Sequence, residues 1–172
     1  PIYNESGNIP KLHEEITAVI KPLEAQFDFE IVCVNDGSKD NSLELLRQIR
    51  EKDQRFRIIN FSRNFGHQMA ITAGLDHARG DAVIIMDADL QDPPEVSREL
   101  IEKWQEGYDI VYAQRRTRQD TFFKKMTAHV FYRLLDSLAN IKIPKDTGDF
   151  RLMSRPVVDT LKKFGEKNRF LR

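Results

Sequence analysis

Asp81-Ala82-Val83-Ile84-Ile85-Met86-Asp87-Ala88-Asp89-Leu90-Gln91-Asp92-Pro93-Pro94-Glu95 is the stretch that decides the fold of this chain. Ala82 to Met86 is apolar on both faces, as a strand buried between two layers must be. Carboxylates follow at Asp87 and Asp89. A helix start comes next, with Asp92 as capping acid, Pro93 and Pro94 in the first turn and Glu95 at the third helical position. A buried strand running into a helix is the repeating unit of α/β layer structures. Their sites lie at the carboxyl ends of the strands.

The flanking sequence repeats this unit. Phe29–Asp36, Arg55–Ser62 and Tyr108–Arg115 read as further strands, together with Asp81–Asp89. Leu12, Ile16, Val19 and Leu23 keep helical spacing, as do Leu43, Leu46 and Ile49, and Val96, Leu100, Ile101 and Trp104. Gly66–Arg79, rich in Ala and Gly, suits a helix packed close to a sheet. Gly80 and Gly107 are the expected helix stops. Beyond about Asp120 the pattern predicts a long helix over Phe122–Leu138, a loop over Ile143–Arg151 and a helix from Pro156. The alternation predicts a single α/β domain with a mostly parallel sheet.

Composition agrees. The chain has 172 residues, 40% hydrophobic and 31% charged, which is enough for one closed core and excludes disorder or a disulfide scaffold. Cys33 is the single cysteine and lies in an apolar run, so a reducing compartment is expected. No charge-free apolar stretch approaches the ~20 residues needed to span a bilayer. Pro1 opens the chain inside what reads as a strand-to-loop transition, so an excised domain is expected. The net charge is zero but uneven: residues 1–110 hold 12 Lys/Arg and 21 Asp/Glu, and residues 111–172 hold 15 and 6. The zero total argues against nucleic-acid coating. The basic last third points to phosphates or a lipid surface, or to attraction between the two parts.

The acids carry the chemistry. Asp87 and Asp89, two apart in extended chain, would point to one side. Asp36, in Asn35-Asp36-Gly37-Ser38, closes a second strand, although Asp-Gly is also plain turn chemistry. Like charges on an apolar rim are costly, and a hard dication, Mg²⁺ or Mn²⁺, removes that cost while sharing its shell with substrate phosphates. A nucleoside diphosphate is the expected second ligand. His67 and His77 read as residues of polar helix faces, and no His/Cys cluster suggests zinc. Dinucleotide, P-loop and nucleophile-elbow motifs are absent from the sequence.

Pro1-Ile2-Tyr3-Asn4-Glu5, Asn35-Asp36-Gly37-Ser38 and Asp87-Ala88-Asp89-Leu90-Gln91-Asp92-Pro93-Pro94-Glu95 together resemble the family 2 glycosyltransferases of the GT-A fold. The third stretch is similar to the dolichyl-phosphate mannose synthase branch. Asp146-Thr147-Gly148-Asp149-Phe150-Arg151-Leu152-Met153 is similar to the bacterial GtrB-type polyprenyl-phosphate glucosyltransferases. The resemblance covers the whole chain and implies a three-layer α/β/α sandwich. Relative to that family, the first strand and the C-terminal membrane helices are missing, which fits one excised catalytic domain over residues 1–172.

The resemblance also implies roles. Pro1, Tyr3 and Glu5 would line the base and ribose, Asp36 would contact the base and Asp87 the nucleotide. Asp89 and Gln91 would bind the metal and diphosphate, with Asp89 counted as catalytic. Asp149 would face the sugar as an acid-base or positioning residue. Arg151 would grip the donor, and Arg115, Arg116 and Arg118 the acceptor phosphate. The implied reaction is inverting transfer of a hexose, foremost glucose from UDP-glucose, to undecaprenyl phosphate at the cytoplasmic face of the inner membrane. Partners are then the nucleotide sugar, the lipid phosphate and the membrane surface, with no nucleic acid and with homo-oligomer formation left open. A phosphate acceptor is already largely ionised at neutral pH, with a second pKa near ~6, so positioning suits Asp149 better than proton abstraction. GDP-mannose as donor and a sugar hydroxyl as acceptor are the enzymatic alternatives. A phospho-acceptor receiver module is the non-enzymatic one, and Arg115-Arg116 in place of a lone lysine argues against it.

Overall fold

A computed structural model describes residues 1–114 and 147–163. The element order is α1 (Ile9–Ile20), a 3₁₀ turn (Lys21–Leu23), β1 (Ile31–Asn35), α2 (Ser42–Lys52), β2 (Phe56–Asn60), α3 (His67–His77), β3 (Ala82–Ile85), α4 (Val96–Gln105), β4 (Ile110–Gln114), β5 (Thr147–Ser154) and α5 (Arg155–Lys163). All four expected strands form, each a little shorter than its apolar run. The Phe122–Leu138 helix lies outside the described residues.

Strands alternate their side chains between two helical layers. Cys33 packs with Ile9, Leu46 and Phe56 beneath α1 and α2. Val34, the next residue, faces α3, where a Cβ on Gly74 would sit 3.5 Å from its Cγ2. Ile84 and Leu152 face α4 with Leu100, Ile101 and Phe150. Ile85 and Met153 face α3 and α5 with Ile71, Leu75 and Val158. Helices α1, α2 and α4 thus cover one face, and α3 and α5 the other. Burial pushes the Cys33 thiol up to about 11, which makes it an inert core residue.

Strand β1 pairs parallel with β2, and Ile2 extends that sheet by a parallel bridge to Asn35. β5 runs antiparallel between β3 and β4, which are parallel to each other. Residues 147–151 therefore belong to a central strand and not to the expected loop. The alternation of Phe150 and Leu152 with Asp149 and Arg151 has the period of a strand with one face in the core. An apolar cavity of about 560 Å³ opens between β1 and β3, lined by residues such as Val32, Val34, Val83 and Ile85, with Pro1 and Ile2 among its walls.

Two helix ends differ from expectation. α4 begins at Val96 with Glu95 as its N-cap, and no side chain caps it. Pro93 and Pro94 have no N–H to give, so Asp92–Glu95 forms tight turns in which Val96 N–H donates to the Pro93 carbonyl. Gly107 does close α4, at φ 101°, with its own N–H on the Trp104 carbonyl and that of Tyr108 on Lys103. α3, by contrast, ends at His77 with Ala78 extended, two residues before Gly80.

Gly37 is where glycine is indispensable. It stands at φ 66°, and a Cβ there would lie 2.3 Å from the Arg63 carbonyl carbon. The turns after β1 and β2 meet backbone to backbone at this point. Gly37→Ala should cost about 2 kcal/mol or more, through left-handed strain and displacement of residues 63–64. Urea unfolding of the variant against the parent measures it.

Candidate active site

The carboxyl ends of β1 and β3 and the amino end of β5 share one edge of the molecule. β3 pairs with β5 through Ile85↔Arg151. Two residues on from Ile85 is Asp87, and two back from Arg151 is Asp149. The antiparallel register thus aims these acids at each other on the α3 side of the sheet. A register irregularity falls at the same place. One residue, Ala113, separates Tyr112 from Gln114 on β4, whereas Gly148, Asp149 and Phe150 separate Thr147 from Arg151 on β5. Such bulges re-aim side chains at sheet edges.

His67, the first residue of α3, completes the group. Its Nε2 lies 3.0 Å from Asp149 Oδ2 and 3.6 Å from Asp87 Oδ1. Arg151 Nη2 approaches Asp149 Oδ1 at 3.5 Å. His67, Asp87 and Asp149 offer ligand atoms that all lie within 4.8 Å of one another. Burial pushes the Asp87 carboxyl above its ordinary value; Asp149 and Asp89 add to this as like charges, and His67 opposes it. Asp87 Oδ1 is buried and has no hydrogen-bond partner among the described residues. A carboxylate oxygen without a donor, beside a second carboxylate, is a place that fits a hard dication.

The other predicted residues occupy the rim. β3 ends at Ile85, and Ala88 and Asp89 lie in a turn, so Asp87 and Asp89 are not presented by one extended strand. Asp87 enters the cluster. Asp89 closes a turn by accepting the Gln91 N–H at 3.0 Å. Leu90 between them stands at φ 59°, which costs a branched residue about 1–2 kcal/mol. Gln91 and Tyr3 are exposed. Glu5 accepts the Asn8 side-chain amide at 2.6 Å. The Pro1-to-Glu5 loop is laced to the turn after β1: Asn4 N–H donates to Ser38 Oγ, Glu5 N–H to Ser42 Oγ, and Lys39 N–H to Asn4 Oδ1. Asp36 is only 3% exposed, and its two oxygens accept the Phe65 and Gly66 N–H groups at 2.7 and 3.0 Å. In this structure it clamps a loop instead of presenting a free carboxylate to a base. Arg115, Arg116 and Arg118 lie outside the described residues.

A family model described as Glycosyl transferase family 2 matches residues 1–162. The chain belongs to glycosyltransferase family 2. It is 54% identical over 173 residues to the uncharacterized glycosyltransferase YkcC of Bacillus subtilis, covering all of this chain and 53% of that protein. It is 45% identical over 175 residues to the bactoprenol glucosyl transferase of Shigella phage SfV, covering all of this chain and 56% of that one. The chain therefore spans about half the length of these relatives. A mannosyltransferase of Pyrobaculum calidifontis, solved with GDP-Man and Mn²⁺, superposes with a TM-score of 0.65 at 22% identity, over 94% of this chain and 44% of that one. The fold of this family 2 glycosyltransferase domain is accordingly GT-A.

His67 is the site residue of this glycosyltransferase domain that sequence reasoning passed over. One signal was available. A histidine gains nothing from the positive end of a helix dipole, so its place at the first residue of α3 calls for another reason.

Proposed function

We propose that this domain binds a nucleoside-diphosphate hexose and catalyses inverting transfer of the hexose to a polyprenyl phosphate, with UDP-glucose as donor, at the cytoplasmic face of the membrane. The observation that carries the reading is the pair of acids at the sheet edge, half-buried Asp87 and buried Asp149, with Asp87 Oδ1 lacking a donor among the described residues. Asp87 would hold a Mg²⁺ or Mn²⁺ ion together with Asp89 and Gln91. When bound, the ion stabilises the negative charge that develops on the departing diphosphate. Asp149 is buried and held by His67 and Arg151, which suits electrostatic positioning of the sugar more than free proton exchange. Pro1, Tyr3 and Glu5 would frame the base. Arg151 would neutralise donor phosphate, and Arg115, Arg116 and Arg118 the acceptor phosphate. The bactoprenol name of the phage relative supports the lipid acceptor.

No helix among the described residues is long and apolar enough to cross a membrane. The cavity between β1 and β3 supports a companion reading, in which a strand ending at Pro1 fills that space in the whole protein.

Thermal melts with UDP-glucose or GDP-mannose, each with and without Mn²⁺, test the donor. UDP-glucose with Mn²⁺ should raise Tm, as any ligand of the native state does, through a stabilisation of about 2.7 kcal/mol at a hundredfold excess over Kd. Asp87→Asn should abolish the shift while leaving the unliganded Tm unchanged or higher, because burial and like charge already disfavour its ionised form. A shift with GDP-mannose alone assigns the mannosyl donor instead, and no shift with either donor sinks the reading.

A further inference from the structure

The arm that carries His67 is built from outside the helix. Asp36, at the end of β1, holds the N–H groups of Phe65 and Gly66, the two residues before His67. Gly66 turns the chain at φ 100° into α3. Arg63 lies over the Phe65 ring, 4.4 Å from its centroid, on the outer side of the same loop. The imbalance in exposure is informative. The His67 side chain is 39% exposed and its partner Asp149 only 3%. A half-exposed imidazole at a helix N-terminus contributes little to stability and opposes the helix dipole when charged. Its bond to Asp149 is therefore the feature that explains its place.

We propose that His67 is a positioning residue of the transferase. An ionised carboxylate has only acceptors to offer, so the imidazole donates through Nε2–H to Asp149 Oδ2. Arg151 approaches the other oxygen. With one oxygen held from α3 and the other from its own strand, the carboxylate has a single orientation, facing Asp87. Asp36 serves as the anchor of the arm and acts on Asp149 only through His67. The role rests on the reading of Asp149 as the carboxylate that faces the transferred sugar.

Steady-state transfer by the full-length enzyme, with melting curves for each variant, tests this. His67→Ala should lower kcat by ~10–100-fold with donor KM within ~3-fold, since misplacing a catalytic group by about 1 Å costs up to 10²-fold. Its Tm should fall by several degrees at most, because the buried Asp149 carboxylate loses one donor and keeps Arg151. His67→Gln, which keeps an N–H at similar reach, should recover kcat to within ~5-fold of the parent. Added to Asp149→Asn, His67→Ala should cost nothing further, because residues that act as one unit are not additive. If His67→Ala melts below the assay temperature, His67→Asn takes its place as the loss variant. A loss confined to KM, no recovery in His67→Gln, full additivity with Asp149→Asn, or parental kcat in the loss variant each overturns the proposal. Parental kcat in Asp149→Asn overturns the reading of Asp149 itself.

Discussion

Asp149→Asn is expected to lower the turnover of the transferase by ~10²–10³-fold while leaving the melting curve nearly in place. The substitution keeps shape and one acceptor but removes a full negative charge from a side chain that is almost entirely buried. In so dry a position a charge acts strongly on whatever charge develops nearby. On the proposed function, departure of the nucleoside diphosphate leaves positive character on the anomeric carbon, and the Asp149 carboxylate would face it. Among the described residues, the imidazole on Oδ2 and the guanidinium near Oδ1 help keep that carboxylate tolerable in the resting protein. Asn retains an acceptor for His67 if its amide is oriented accordingly, so folding survives. The comparison to make is single-turnover transfer from UDP-glucose at saturating donor, beside calorimetric binding of the same donor with Mn²⁺. Turnover should fall and donor affinity should stay within ~3-fold. A variant with parental turnover would remove Asp149 from the mechanism, and one that loses donor binding in proportion would make it a binding residue only.

Much of this architecture is local and was therefore legible. Ala82–Met86 and Ile31–Val34 are apolar on both faces because helices cover both sides of the sheet, and such runs can be read in any order of the chain. Gly107 announces the end of α4 by its own conformational freedom. What escaped is pairwise and distant. β5 was hidden because Asp149 and Arg151 interrupt its apolar face at the polar edge, so a half-core strand looks like a loop until Phe150 and Leu152 are seen to share α4. Asp36 was legible as an acid at a strand end, but its partners, Phe65 and Gly66, lie 29 and 30 residues away and offer only backbone N–H groups, which leave no trace in sequence. His67 meets Asp149 across 82 residues. The Asp87-Ala88-Asp89 motif was legible as acids at a strand end, and their geometry was not. Spacing alone does not say that the strand ends at Ile85 and that Leu90 turns left-handed beyond it.

Leu152→Ala should destabilise the domain by about 3–5 kcal/mol, the range for a buried leucine whose surroundings cannot close over the gap. Leu152 is fully buried in the central strand of three, opposite Ile84 on β3 and Val111 on β4. Its side chain meets Leu100 and Ile101 of α4, with Phe150 beside it. Hydrogen-bonded neighbours on both sides prevent β5 from shifting, so the cavity stays largely open. A loss of that size is a large share of the ~5–15 kcal/mol typical of a native domain. Urea unfolding should show a lowered midpoint with an unchanged slope, whereas Leu152→Met, which conserves volume, should lose less than about 1.5 kcal/mol. The consequence for activity follows from strand periodicity. Leu152 points to α4 while Asp149 and Arg151 point to α3, so the same strand fixes the core on one face and the carboxylate on the other. Leu152→Ala should therefore lose activity only as it loses fold, with both recovering together on cooling or on addition of donor and Mn²⁺. Asp149→Asn should lose activity at full fold. Activity in Leu152→Ala that fell while the melt stayed in place would mean that β5 is held by something other than its buried face, and the register that brings Asp87 to Asp149 would need another cause.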